Sequence, residues 1–258
     1  MFDNPVKKAL MTRRLTIGSW IQIGHPGNAE IMAKAGFAWL AVDSEHGEVE
    51  TGDFGNLFRS ITNFGTIPMV RVRENDTLEI RRALDLGAMG VIVPMINTAE
   101  DARKAVASAK YPPQGVRGFA FHRGNNWGIN FNDYVKVANE NIAVIVMIES
   151  KDAVANIDAI LSVDGVDGVF IGPYDMSGSY SIPGQTDSEI VKNACKQVAK
   201  ACIRAEKSAG IHIVLPTTEA VKKAVDDGFT LLGLGTDTVF LADGAAKWMN
   251  FIKGFGIK

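Results

Sequence analysis

The feature that most constrains this chain is a repeated alternation of a short apolar, β-branched run, a turn, and a longer amphipathic stretch. The spacing predicts strands at 16–23, 39–43, 68–72, 91–95, 144–149, 168–171, 211–215 and 231–234. Several are apolar nearly throughout, as parallel strands covered on both faces are, whereas a strand with one face in water alternates. Helices are expected at 29–35, 54–64, 77–86, 99–109, 131–139, 153–161, 188–209 and 219–227, with a final one over 239–255. A glycine follows the last helical residue in AKAGF, DLGAMG, KSAGI and DDGF, and Asp76 and Asn97-Thr98 are N-cap candidates. Strand–helix units repeated without a linker predict an α/β fold, a (β/α)8 TIM barrel with an additional C-terminal helix. An open doubly wound sheet is the alternative. Against it, no G-x-G-x-x-G follows the first strand, and Gly233-Leu234-Gly235 lacks the third glycine. Residues 111–130 read as a long connection, and 1–258 as one domain.

Charge narrows the partner. With 27 Lys+Arg, 29 Asp+Glu and no block of five or six like charges, the chain lacks the footprint of a dedicated nucleic-acid or anionic-membrane binder. A small polar molecule is the expected ligand. Cys195 and Cys202 fall in one expected helix about 10 Å apart, beyond the ~7 Å reach of a disulfide. The opening MFDNPVKKALMTRRL breaks its apolar residues with charge, unlike a signal peptide, and apolar runs such as 142–148 are far short of a membrane span. A soluble, cytoplasmic protein is expected.

A barrel places its active site at the C-terminal ends of the strands. There the sequence puts Asp43-Ser44-Glu45-His46, Arg71 and Arg73, Glu149, Gly172-Pro173-Tyr174-Asp175, and Thr236-Asp237. Any one could cap the next helix, and Asp237 reads that way; together they converge on one mouth. Glu149 ends the apolar run AVIVMI, where a lone carboxylate is costly to desolvate and needs a cation. Asp175 would add a second hard oxygen ligand, giving a Mg²⁺ or Mn²⁺ type of site completed by water and substrate. An ion pair between Glu149 and Arg71 is the alternative. His25, His46, His122 and His212 show no short zinc-binding spacing. His46 is the candidate general base, with Asp43 or Asp85 to orient it, although a helical Asp85 could simply be solvated. Arg71 suits a substrate carboxylate or a developing enolate oxygen. The strands contain no lysine for Schiff-base chemistry, Lys110 and Lys151 being the nearest, and no P-loop, G-x-S-x-G or H-E-x-x-H occurs. The chemistry left is metal-assisted enolate formation from a 2-oxo acid.

The segments DSEH at 43–46, VRV at 70–72, LDLGAMGVIVPM at 84–95, YPPQGVRG at 111–118, MIES at 147–150 and DGVDGVFIGPYDMS at 164–177 together resemble the HpcH/HpaI family. The resemblance runs over almost the entire chain. It implies a class II aldolase, dependent on a divalent metal (Mg²⁺, Mn²⁺ or Co²⁺), that joins or separates a pyruvate-like 2-oxo acid and an aldehyde. It further implies that Glu149 and Asp175 bind the metal and that Arg71 contacts the 2-oxo acid. His46 would be the acid–base group supported by Asp43 and Asp85, and Gly172, Pro173, Tyr174 and Asp175 would hold the substrate carboxylate. Trp20 and Met147 complete the expected substrate contacts. The family's usual assembly is a homohexamer, a trimer of dimers with C-terminal helices packed across subunits. Leu241, Trp248, Phe251, Ile252 and Phe255 share a face of the last helix, a stripe that packing on its own barrel would equally explain. Two departures stand out. Met147 occupies the place where many members have Gln, facing inward with Glu149 by strand alternation. After GVRG come Phe119, Phe121, His122, Arg123 and Trp127, expected to reshape the pocket or its lid, or to form a subunit contact. The same site could serve a citrate-synthase-like or decarboxylative condensation; a non-catalytic metal-binding or assembly protein is the reading from another class.

Overall fold

The structure, a computed structural model, describes residues 2–253 and 255. Eight parallel strands pair in chain order: β1 (Thr16–Ile21), β2 (Trp39–Asp43), β3 (Ile67–Arg71), β4 (Gly90–Val93), β5 (Ala143–Ile148), β6 (Gly168–Ile171), β7 (Ser208–Ile213) and β8 (Leu231–Thr236). β8 closes back on β1, which makes the expected (β/α)8 barrel. Around it run α1 (Pro5–Met11), α2 (Pro26–Lys34), α3 (Phe54–Thr62), α4 (Thr77–Leu86), α5 (Ala99–Ala109) and α6 (Phe131–Asn141). They are followed by α7 (Lys151–Ala155), α8 (Ile157–Leu161), α9 (Pro173–Ser179), α10 (Glu189–Arg204), α11 (Thr218–Asp226) and α12 (Asp237–Lys253). Strand alternation sorts the apolar side chains into two sets. Trp20, Trp39, Met69, Ile145, Met147 and Phe170 fill the barrel interior, and Leu40, Val42, Val91, Val146 and Leu232 pack outward against the helices.

The first helix is not anticipated by the sequence patterns. Asn4 caps it by accepting from Val6 N and Lys7 N, while its Nδ2 donates to Met89 O and Asn141 O, both at 2.8 Å. Val6 and Leu10 then enter the interior cluster and close the end of the barrel opposite the mouth. A buried ion pair from Lys7 to Asp167 fixes the orientation of this plug.

Other boundaries move for identifiable reasons. The helix expected at 188–209 stops at Arg204, because Glu206 takes a left-handed φ of 54° and Lys207 N donates back to Cys202 O. Gly210 is therefore no helix cap; it lies inside β7, where a Cβ would come 2.7 Å from Phe170 Cδ2 across the interior. The helix expected at 153–161 is two short helices broken at Asn156. Residues 111–130 contain no strand but do contain a short 3-10 segment, Arg123–Gly128, in which Asn126 and Trp127 have positive φ. The expected helix through Gly254 and the full 1–258 extent reach beyond the described residues. Cys195 and Cys202 are free thiols. Among the described residues no helix is long and apolar enough to cross a membrane.

Lys110 lies buried at the plugged end and donates to Asn139 O and Ile142 O. Burial, reinforced by the charge of Lys7, pulls its pKa from 10.5 down to about 7. Between those values the unfolded chain holds a proton that the folded protein does not, so the contribution to stability is complete above the unfolded pKa and is lost as pH falls through the folded one. Urea unfolding of the wild type and Lys110→Met at pH 7 and pH 9 is expected to shift the difference towards the wild type at pH 9. The shift should not exceed about 1.4 kcal/mol per pH unit; a shift in the other direction contradicts the assignment.

Candidate active site

A cavity of about 1120 Å³ opens at the C-terminal ends of the strands, and its lining includes Trp20, Gln22, Asp43, His46, Arg71, Met147, Gly172, Pro173, Tyr174, Asp175 and His212. Arg71, the last residue of β3, organises one side. Its Nε donates to Asp43 Oδ1 at 2.9 Å and its Nη2 to Asp43 Oδ2 at 2.7 Å. Nη1 lies 3.1 Å from Glu45 Oε2, and the guanidinium sits 4.9 Å from the Trp20 ring centre. Burial alone would raise the Asp43 pKa; the bonds and charge of Arg71, with Gln22 and the His46 backbone N–H, outweigh it and hold the carboxyl below its usual range. Glu45, to which sequence reasoning assigned no role, is pushed up by burial, with Asp43 and Asp175 adding to the shift and Arg71 opposing it.

Glu149 follows β5 directly and is buried. Its Oε1 accepts from Met95 N at 2.6 Å. Burial, reinforced by Glu45 and Asp175, pushes its pKa up to about 7 against the opposing Met95 bond and Arg71. The ion-pair alternative for Glu149 is not what forms: the close charged contacts of Arg71 go to Asp43 and Glu45. Gly172 makes room for this carboxylate, since a Cβ there would stand 2.9 Å from Glu149 Oε2. Asp175 lies in the first turn of α9, exposed to the cavity.

Among the described residues, no three His, Cys, Asp or Glu side chains lie close enough to form a metal-binding group by themselves. Two carboxylates with water and substrate supplying the other oxygens is nevertheless the ordinary Mg²⁺ arrangement. The donor set fits it: Glu149 is buried beside further acidic charge that a cation would neutralise.

The remaining expected residues divide. His46 reaches the cavity, but 61% of its side chain is exposed, and Asp43 accepts from its backbone N–H rather than its ring. Asp85 is not brought to His46 within the chain. It stands at the far end of α4, where it accepts from Arg117 Nη2 at 2.8 Å and lies 3.4 Å from His122 Nε2. Arg73 is surface-paired with Glu50 and Glu79. Phe119, Phe121, His122, Arg123 and Trp127 do not line the cavity of their own chain; Arg123 instead donates to Leu86 O at the end of α4. Asp237 accepts from Gln22 N and Ile23 N and so ties the start of α12 to the end of β1. Gln22, also missed, accepts from Thr238 Oγ1 and donates to Asp43 Oδ2. Its signal was parity, since it faces the same way as Trp20.

A barrel with a buried carboxylate and a clamped arginine at the C-terminal mouth is the architecture of an enzyme that handles small anionic substrates. The model of the HpcH/HpaI aldolase/citrate lyase family matches residues 16–243, and the chain belongs to this family. The family is in general divalent-metal dependent, and its members named as aldolases make this protein a carbon–carbon lyase. A 4-hydroxy-2-oxo-heptane-1,7-dioate aldolase of Salmonella paratyphi A is 37% identical over 245 residues, covering 94% of this chain and 92% of that protein. An HpcH/HpaI aldolase/citrate lyase family protein from Burkholderia cenocepacia J2315 has a solved structure similar to this one, with TM-score 0.92, 30% identity, and coverage of 97% of this chain and 99% of that one. The citrate synthase SbnG is similar with TM-score 0.86, 28% identity, and coverage of 97% and 98%.

Removing one partner of a buried ion pair leaves the other charge stranded. Asp43→Asn is therefore expected to cost about 3 kcal/mol of stability at neutral pH. The wild-type carboxyl has a folded pKa below its unfolded value of 3.8, so its contribution is present above that value and lost as pH falls through the lower one. Acid titration followed by circular dichroism should then show the difference between wild type and variant shrinking below about pH 4.

Proposed function

We propose that this protein is a divalent-metal-dependent aldolase that cleaves a 4-hydroxy-2-oxo acid into pyruvate, or a close relative of it, and an aldehyde, or runs the reverse addition. The observation that carries the reading is the pairing of two opposed features in one mouth. A carboxylate, Glu149, is buried beside other acids, and a guanidinium, Arg71, is held rigidly by Asp43. Glu149 and Asp175 would hold the cation, with Mg²⁺, Mn²⁺ and Co²⁺ as the candidates. When bound, it supplies Lewis-acid polarisation of the 2-oxo carbonyl. Arg71 receives the developing enolate oxygen in this reading, where a fixed positive charge acts without reorganising. The chain around Gly172, Pro173, Tyr174 and Asp175 orients the substrate carboxylate, and Trp20 and Met147 form the apolar wall. His46, open to solvent, carries the proton to and from the carbon next to the carbonyl. In this reading Asp85 serves the Arg117–His122 cluster. A condensation with another electrophile is the second reading, favoured by the likeness to a citrate synthase.

The proposal extends to assembly and place. Leu241, Trp248, Phe251 and Phe255 are left exposed rather than packed on their own barrel, which supports a homo-oligomer, a trimer of dimers, covering them. Two free thiols suit the reducing cytoplasm.

Metal-free protein incubated with pyruvate in D₂O should lose the methyl proton signal only when Mg²⁺, Mn²⁺ or Co²⁺ is added, and Glu149→Gln and Asp175→Asn should abolish the exchange. No exchange with any of the metals defeats the enolate reading; exchange that survives loss of both carboxylates defeats the metal assignment. Gly172→Ala, which crowds Glu149 Oε2, is expected to weaken Mn²⁺ binding in calorimetric titration by roughly tenfold or more, as displaced metal-site ligands do.

A further inference from the structure

His212 has no part in the reading so far. It is the fifth residue of β7 and shares parity with Gly210, which faces Phe170, so its side chain turns into the barrel. There it lines the cavity with its ring centre 5.6 Å from that of Trp20. Its Nε2 lies 3.0 Å from Gly235 O. A carbonyl oxygen only accepts, so Nε2 carries the hydrogen and Nδ1 keeps its lone pair. Burial favours the neutral ring; the Gly235 bond and Asp43 oppose this and Arg71 reinforces it. Nδ1 takes part in no hydrogen bond among the described residues. The result is a neutral imidazole of fixed tautomer whose free nitrogen is matched to a hydrogen-bond donor, on a wall otherwise formed by Trp20, Met147 and Phe170.

In a 4-hydroxy-2-oxo acid the donor to be met is the 4-hydroxyl. We propose that His212 is the catalytic group that takes the proton of that hydroxyl as the C3–C4 bond breaks, an inference that rests on the aldolase reading above. The O–H bond breaks and its proton goes to Nδ1, while the O–H electron pair becomes the second bond of the aldehyde C=O. The C3–C4 pair passes to C3 and delocalises onto the 2-oxo oxygen as an enolate. Protonation at C3 then gives the methyl group of pyruvate, and His212 returns its proton to solvent. No oxidant or reductant is required. His46 does not duplicate this role: it comes from the end of β2, faces water, and has Glu45 as its charged neighbour at 3.9 Å. A solvent-facing imidazole suits exchange of the C3 proton, and the half-buried His212 suits a proton released at the cavity wall.

The test compares two rates in the same preparation, so that the fraction of folded protein cancels. One is cleavage of 4-hydroxy-2-oxopentanoate to pyruvate and acetaldehyde; the other is metal-dependent exchange of the pyruvate methyl protons. His212→Gln can still donate to Gly235 O but cannot take a proton, and His212→Leu does neither. In both, the ratio of cleavage to exchange is expected to fall about a hundredfold or more, the usual worth of a positioned general base. A ratio within about threefold of wild type in His212→Gln overturns the inference and leaves the aldolase reading standing. A wild-type protein that shows neither reaction overturns both.

Discussion

The pairing of Arg71 with Asp43 is the interaction on which the rest of the mouth depends. Two parallel hydrogen bonds at 2.7 and 2.9 Å cross from the end of β3 to the end of β2, where the strands are themselves in register from Trp39 and Ile67 upward. A guanidinium held at two points cannot swing, so its remaining N–H groups have fixed directions; Glu45 lies beside Nη1, and the five donors leave others over. Asp43 also takes Gln22 and the backbone of His46. Three strand ends are thereby linked through one carboxylate before any substrate arrives.

Electrostatically the mouth has two unlike halves. On the β2–β3 side, acid and base compensate, and Asp43 stays ionised despite burial. On the β5–β6 side, Glu149 has no comparable partner, and burial dominates. Net charge over the chain conceals this contrast, because the separation is one of position. In the proposed reaction this contrast gives the two halves different tasks, a cation on the Glu149 side and the substrate oxygen on the Arg71 side.

Much of this was legible in the sequence because an apolar run that ends in a charge reports where a strand leaves the core. Asp43, Arg71 and Glu149 all do so, and the barrel folds them to one place. What was not legible had non-local causes. Gly210 resembles a helix cap in the one-dimensional pattern, yet its lack of a side chain answers to Phe170 on another strand. Asp85 resembles a partner for His46, yet within its own chain the carboxylate is paired with Arg117 from a connection far off in sequence. The first helix, seven residues long, is too brief to show a periodicity, and its burial comes wholly from the barrel it closes. Gln22 and His212 were available by parity alone, and were passed over because neither ends a strand with charge.

That first helix has a consequence for biosynthesis. Its anchors are Met89, Asn141, Asp167 and Ser208, the last accepting position being Leu10 O for the Ser208 hydroxyl. The segment is made before all of these groups, and the last of them, Ser208, follows only when β7 begins to leave the exit tunnel. Until the barrel closes, Val6 and Leu10 have no interior to enter, so the nascent chain carries them as apolar side chains without their packing partners.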